Sequence, residues 1–440
     1  MRIIHGYHNE TKRSAFTLVE LMVSTALIAV LMLLLLGTVD QTQQVWKRTT
    51  AKVAQFQASR AAFEAMTRRL GQATLNTYWR AQDGNSANSR ADFLFRRHSE
   101  LQFVSGHLND ATGKSGRIPG IFTEQKLTGL TTPTERAYPT HGVFFFAPLG
   151  VTEESARTAY PTGTVVKGLT RFRELDGMVT ACGYFVEYGD DPNRPLILPR
   201  AVVPARKRFR LMELTVPAEQ LTIYNRFTPF GNQANDPFGM PWAFSIFPQV
   251  ADRKKSNYVG RVDENLKTTA NWVRPFWMEQ ALRRTTTDST TSQNHFAFGR
   301  VMADNIVALV VLPKLAEKDR ENPTDLGKLA PEYQYDSWRI LRKDAASDAN
   351  AARDNLLPPI VQISMVAIDE SSALRLPRNT IPDWTIRGDK QLFTKVSNEA
   401  DFLDDMAELE KRLQADKVSY RVFSTDVVIR GSKWSKDPKN

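Results

Sequence analysis

The chain has 440 residues, 42% hydrophobic and 24% charged, and a formal net charge of +10 at pH 7. Those are ordinary globular values, long enough for one large domain or two moderate ones with a substantial core. The single cysteine, Cys182, excludes an intramolecular disulfide and a cysteine-based zinc site, and the six histidines lack ligand spacing. The basic excess fits a solvated surface better than it fits a nucleic-acid or anionic-lipid partner.

Residues 1–15 are polar and carry Arg2, Lys12 and Arg13 against Glu10. From Phe16 to Val39 the chain is apolar, interrupted by Thr17, Glu20, Ser24, Thr25, Gly37 and Thr38, and Glu20 is its one charge. As a helix this stretch would run about 36 Å, enough to cross a hydrocarbon core of roughly 30 Å. It is too long for the apolar region of a secretory signal, and no Ala-x-Ala site follows it. Lys47, Arg48 and Lys52 flank its other side, so loop charge does not fix its orientation.

The stretch "KRSAFTLVELMVSTALIAVLMLLLLG" resembles the leader of type IV prepilins and type II secretion pseudopilins. The resemblance implies cleavage between Ala15 and Phe16 by a prepilin peptidase that acts on the leader marked by Lys12 and Arg13. It also implies methylation of the new Phe16 amine and an assembly role for Glu20. Ala15 departs from the family, which usually has glycine there. An unpaired carboxylate at mid-membrane costs about 2.5–3.5 kcal/mol, and less near the interface. Paired with the Phe16 amine of a neighbouring subunit, Glu20 would be satisfied in the assembly, because methylation leaves that amine charged.

Beyond the apolar run, residues 40–78 contain no proline and one late glycine, Gly71. Val53, Phe56, Phe63, Met66 and Leu70 recur at spacings of three, four and seven, which predicts an amphipathic continuation of the helix. From residue 79 to 440 the pattern changes to short apolar runs between turn-rich loops. "ADFLFRRHSELQFVSG" reads as a hairpin, and "HGVFFFAPLG", "ACGYFVEYGD", "FRLMELTV", "NIVALVVLPKL", "PIVQISMVAID" and "YRVFSTDVVIRG" read as strands. "SNEADFLDDMAELEKRLQ" reads as a helix capped by Asn398, with Phe402, Met406, Leu409 and Leu413 on its buried face. Residues 105–140, 229–265, 283–295 and 316–356 lack periodicity and read as surface insertions. The expected fold class is α+β: a long N-terminal helix packed on an antiparallel-rich body.

These strand blocks resemble an enlarged J-type minor pseudopilin, and more narrowly protein C of the verrucomicrobial pilin-like (Verru_Chthon) cassette. The resemblance implies a single-pass inner-membrane protein with a periplasmic body, other pilin subunits as partners, and a place near a filament tip; no cofactor is expected.

Chemistry is otherwise sparse. "GHLNDATGKSG" ends like a phosphate-binding loop, but Leu108 stands where glycine is required, and Pro119 and Gly120 fall where a helix must start. No zinc-protease, nucleophile-elbow or dinucleotide motif occurs, so no enzyme is expected. Asp190-Asp191 falls in a turn, and Asp404-Asp405 is expected on the solvent side of its helix. Cys182 is expected to be a buried small hydrophobe. Arg200, Arg206, Lys207, Arg208 and Arg210 form the one basic cluster. Arg206, Lys207 and Arg208 are candidate phosphate contacts of a DNA-binding minor pilin, against the preferred reading of a strand with alternate charges facing water.

Overall fold

The computed structural model describes residues 17–82, 94–99, 101–108, 138–151, 177–190, 207–216, 284–285, 295–296, 299–317, 329–330, 332–337, 355–376, 382, 384–385 and 392–433. The expected insertion at 229–265 and the loop around Lys114 lie outside those residues. The chain divides into two units, residues 1–55 and 56–440.

The first unit, as far as it is described, is helix. Helix α1, Leu18–Leu70, begins here, and every residue from Leu18 to Val39 is exposed. Among the described residues α1 is the one helix long and apolar enough to cross a membrane. Val53, expected on the buried stripe, is 49% exposed. Burial starts at Phe56, so the stripe is shorter than periodicity alone suggests.

The second unit holds the last turns of α1. Phe56, Phe63, Met66 and Leu70 are buried there, at the three- and four-residue spacing of one helical face. The helix ends at Leu70, eight residues short of the expected limit at 78. The Gly71 N–H still bonds to the Thr67 carbonyl, but Gln72 and Ala73 bond back only three residues, to Arg69 and Leu70. This tightening ends the helix, and the chain leaves as strand β1, Tyr78–Gln82.

β1 pairs antiparallel with β2, Leu94–His98, while β3, Val104–His107, pairs elsewhere. The hairpin expected within residues 91–106 is therefore not formed, because each half has a different partner. β4 (His141–Pro148), β5 (Val179–Asp190), β6 (Lys207–Val216) and β9 (Gly299–Asp304) follow β3 across a six-stranded antiparallel sheet. Its other edge is β11, Tyr335–Asp336, against β3. Between β6 and β9 in sequence, β7 (Arg284–Thr285) and β8 (His295–Phe296) form a minimal pair at the two ends of the expected 283–295 insertion. A second sheet has the order β10 (Ile306–Lys314), β12 (Ile360–Ile368), β13 (Tyr420–Val428). Among the described residues the body also holds two helices, α2, Glu370–Arg375, and α3, Glu399–Ala415.

The central strands do not alternate buried with exposed. All of β4 except Pro148 is buried, because both faces of the six-stranded sheet are covered at its centre. Val143, Phe145, Cys182, Tyr184, Val186, Phe209 and Leu211 point into the main core, which they share with β10, β12, α1 and α3. Phe144, Phe146, Phe185, Met212 and Leu214 are buried on the opposite face. Gly183 lies directly beneath the Phe144 ring, where a Cβ would collide with it. Part of the expected 316–356 insertion is also interior: Leu329, Ala330, Tyr333 and Tyr335 are buried, and the Tyr335 hydroxyl donates to the Leu356 carbonyl at 2.7 Å.

Besides their shared apolar core, the two sheets are tied together by hydrogen bonds. Asn305, at φ 61°, turns the chain from β9 in one sheet to β10 in the other. Its N–H donates to Phe209 and its carbonyl accepts from Ile368, which ties both sheets to the corner. Asparagine tolerates this left-handed conformation better than most residues. The outer edge of β10 has no strand partner among the described residues. Thr140 Oγ1 accepts from the Leu309 N–H and His141 Nδ1 from the Val311 N–H, each at 3.0 Å. These side chains satisfy groups that would otherwise be buried unpaired.

The α3 expectation is met in detail. Asn398 caps the helix in a reciprocal box with Asp401, and Phe402, Met406, Leu409 and Leu413 are buried. Asp405 is the exception: expected to face solvent, it is 6% exposed and accepts from the Phe393 N–H at 2.7 Å. The backbone donor stabilises a carboxylate that burial would otherwise penalise.

Candidate functional site: the start of the apolar helix

Lys12, Arg13, Ala15 and Phe16 lie outside the described residues; the helix entry after them is described. Thr17 precedes α1 and its Oγ1 accepts from the Glu20 N–H at 3.3 Å, an N-capping bond to the third helical residue. Glu20 thus occupies the first turn, where the positive end of the helix dipole favours a carboxylate. The Thr-x-x-Glu spacing that looks anomalous in an apolar stretch is also a helix-start signal.

Hydroxyls further along the run are satisfied internally. Ser24 donates to the Leu21 carbonyl at 3.0 Å, Thr25 to Met22 at 3.0 Å and Thr38 to Leu35 at 2.8 Å. These back-bonds let polar side chains sit in an apolar helix at little cost. The Glu20 carboxylate has no such partner among the described residues. That carboxylate keeps its hydrogen-bonding capacity for another molecule.

The basic cluster is arranged differently. Arg200 and Arg206 lie outside the described residues, and Lys207 is half-buried. Arg208 and Arg210 alternate onto one face of β6, as a strand requires. Water does not claim that face: Arg210 is buried and donates to Glu187 at 3.0 Å, while Arg208 donates to Glu370 at 2.8 Å. Glu370 also accepts from Asn305 Nδ2 at 2.7 Å, so Arg208 belongs to the corner between the sheets. The expectation of alternate charges facing solvent fails at Arg210 because its facing strand supplies a buried carboxylate.

Sequence reasoning passed over a heavily engaged carboxylate in the body. Glu213, fully buried on β6, accepts from Arg69 of α1, from Arg300 of β9 and, at 2.9 Å, from the Tyr184 hydroxyl of β5. Tyr184, Glu213 and Arg300 are register partners across three strands. The signal was a lone glutamate inside the apolar strand "FRLMELTV", which a buried strand tolerates only with dedicated donors. His141 is a second such group. Nε2 donates to the Phe393 carbonyl at 3.0 Å while Nδ1 accepts, which fixes the neutral tautomer, and burial lowers its pKa to about 4. Cys182 is free and buried, and burial pushes its thiol up to about 12. No group of three or more metal-ligating side chains occurs among the described residues.

Residues 11–36 match a family described as the prokaryotic N-terminal methylation motif. No curated protein and no solved structure matches the chain. The motif supports a type IV pilin-like protein that is a substrate of prepilin peptidase and assembles with other pilins. The long apolar helix followed by antiparallel sheets fits an α+β pilin-like layout and is consistent with anchoring in the inner membrane.

Proposed function

We propose that the chain is a non-enzymatic minor subunit of a type IV pilus-like or type II secretion pseudopilus filament, placed near its tip. Cleavage after Ala15 creates an amine on Phe16, and Glu20 pairs with that amine on a neighbouring copy or related subunit. The body then lies in the periplasm until the helix is drawn into the filament. The observation that carries this reading is the Glu20 carboxylate, which has no partner among the described residues, in a run whose Ser24, Thr25 and Thr38 hydroxyls are internally bonded. The tip position and the closer kinship with the verrucomicrobial cassette protein C rest on the strand-block resemblance and on the bulk of the body.

The test is intact mass of the full chain expressed with and without a prepilin peptidase. Loss of residues 1–15 with a single methyl added to the remainder is the expected result. A chain left uncut where a glycine-containing control is processed would overturn the reading, unless Ala15→Gly restores cleavage and so traces the failure to that residue. The DNA-binding alternative gains no support from Arg208 and Arg210, whose guanidinium groups are engaged by Glu370 and Glu187.

A further inference from the structure

The exposed side of α1 carries a second feature beyond the apolar run. Glu20 and Asp40 bracket a stretch without any charge, and they are 20 residues apart. At 1.5 Å per residue that separation is about 30 Å, the thickness of a bilayer's hydrocarbon core. Asp40 already meets the Nε2 group of Gln44 at 2.9 Å. The next apolar residues are Val45, 62% exposed, and Trp46, 73% exposed. Lys47 follows, also exposed, and no acidic residue occurs between Gln41 and Phe63.

Trp46 is six residues past Asp40, or about 9 Å along the axis. Helical side chains lean about a turn toward the N-terminus, which brings the indole back to within about 5 Å of the hydrocarbon edge. The headgroup layer occupies roughly 5–7 Å on each side of the hydrocarbon core. An indole has an apolar body with one polar N–H, and a lysine has an apolar stem with a cationic tip. Both suit a layer that is apolar on one side and lined with phosphate on the other.

We propose that Val45, Trp46 and Lys47 form an anchoring belt that seats α1 in the phospholipid headgroup layer opposite Glu20. The belt rests on the membrane reading of α1 and adds its partner: zwitterionic or anionic phosphate headgroups, with the anionic ones favoured by the acid-free stretch. It holds the unassembled subunit at a fixed depth, with Glu20 at one interface and Trp46 at the other.

The test uses the full chain in phospholipid vesicles, with a fluorophore on Thr49→Cys or, separately, on Leu27→Cys. The parent chain, whose Cys182 is buried, serves as the labelling blank. At high lipid-to-protein ratio the Leu27 label should be quenched by acyl-chain nitroxide lipids, and the Thr49 label by headgroup nitroxide lipids. Trp46→Ala with Lys47→Ala should raise iodide quenching at Thr49 at least twofold and leave Leu27 unchanged. The belt is overturned if the Thr49 label is as open to iodide in the parent as in the double variant. It is equally overturned if shielding occurs only in crowded vesicles, which would make a neighbouring helix the occupant. A Leu27 label open to iodide would defeat the membrane reading itself, and the belt with it.

Discussion

Glu20 and Glu213 are both glutamates in apolar segments, one in each unit of the chain, and they are treated in opposite ways. Glu213 is fully buried and receives donors from Arg69, Arg300 and Tyr184, so the body satisfies its charge internally. Glu20 is exposed on a helix whose neighbouring hydroxyls are all turned inward, and the described chain offers its carboxylate nothing. The same residue type is a stabilising element in one region and an open valence in the other. Removing each should therefore damage a different property.

The largest effect is expected at Glu213. Glu213→Ala strips the shared partner from two arginines and a tyrosine, and breaking a buried charged group of this kind costs about 3–5 kcal/mol. Urea unfolding of the full chain in detergent should show that loss, or failure to accumulate folded protein. An unchanged midpoint would mean that the donors find other partners. The steric counterpart is Gly183→Ala, which forces a methyl against the Phe144 ring and should cost about 1–3 kcal/mol in the same assay.

His141 sharpens the contrast through pH. The unfolded chain takes up a proton near pH 6.5, whereas the folded imidazole resists it until about pH 4. Protonation therefore favours unfolding within that window: this contribution is complete above about 6.5 and is lost as pH falls toward 4. The total is about 3 kcal/mol. Unfolding midpoints measured from pH 7 to 4 should fall accordingly. His141→Gln, which keeps one acceptor for Val311 and one donor for Phe393, should flatten that slope. The smallest effect expected is at the cap of α3, where Asn398→Ala should cost about 1 kcal/mol.

How much of this was legible in the sequence follows the range of the forces involved. The apolar run, the Asn398 cap and the principal strands are local patterns, and each lies within a few residues of its expected place. The misplaced features depend on partners distant in sequence. Residues 94–98 and 104–107 are close in the chain but pair with β1 and β4, so no hairpin forms. Arg210 and Asp405 look solvent-facing by periodicity and are buried because Glu187 and the Phe393 N–H come to meet them. Tyr333 and Tyr335 sit in a stretch without periodicity, yet they pack against His141 and Phe103. Glu20 was legible as anomalous, while its N-capped position in the first turn emerged only with the helix boundary at Leu18.

The most direct test of the central claim is a paired measurement on Glu20→Ala in cells that process the chain: unfolding midpoint and subunit crosslinking on the same preparation. The account predicts a midpoint indistinguishable from the parent, together with loss of the crosslinked ladder. A ladder that persists at parental yield, or a midpoint lowered as far as in Glu213→Ala, would contradict it.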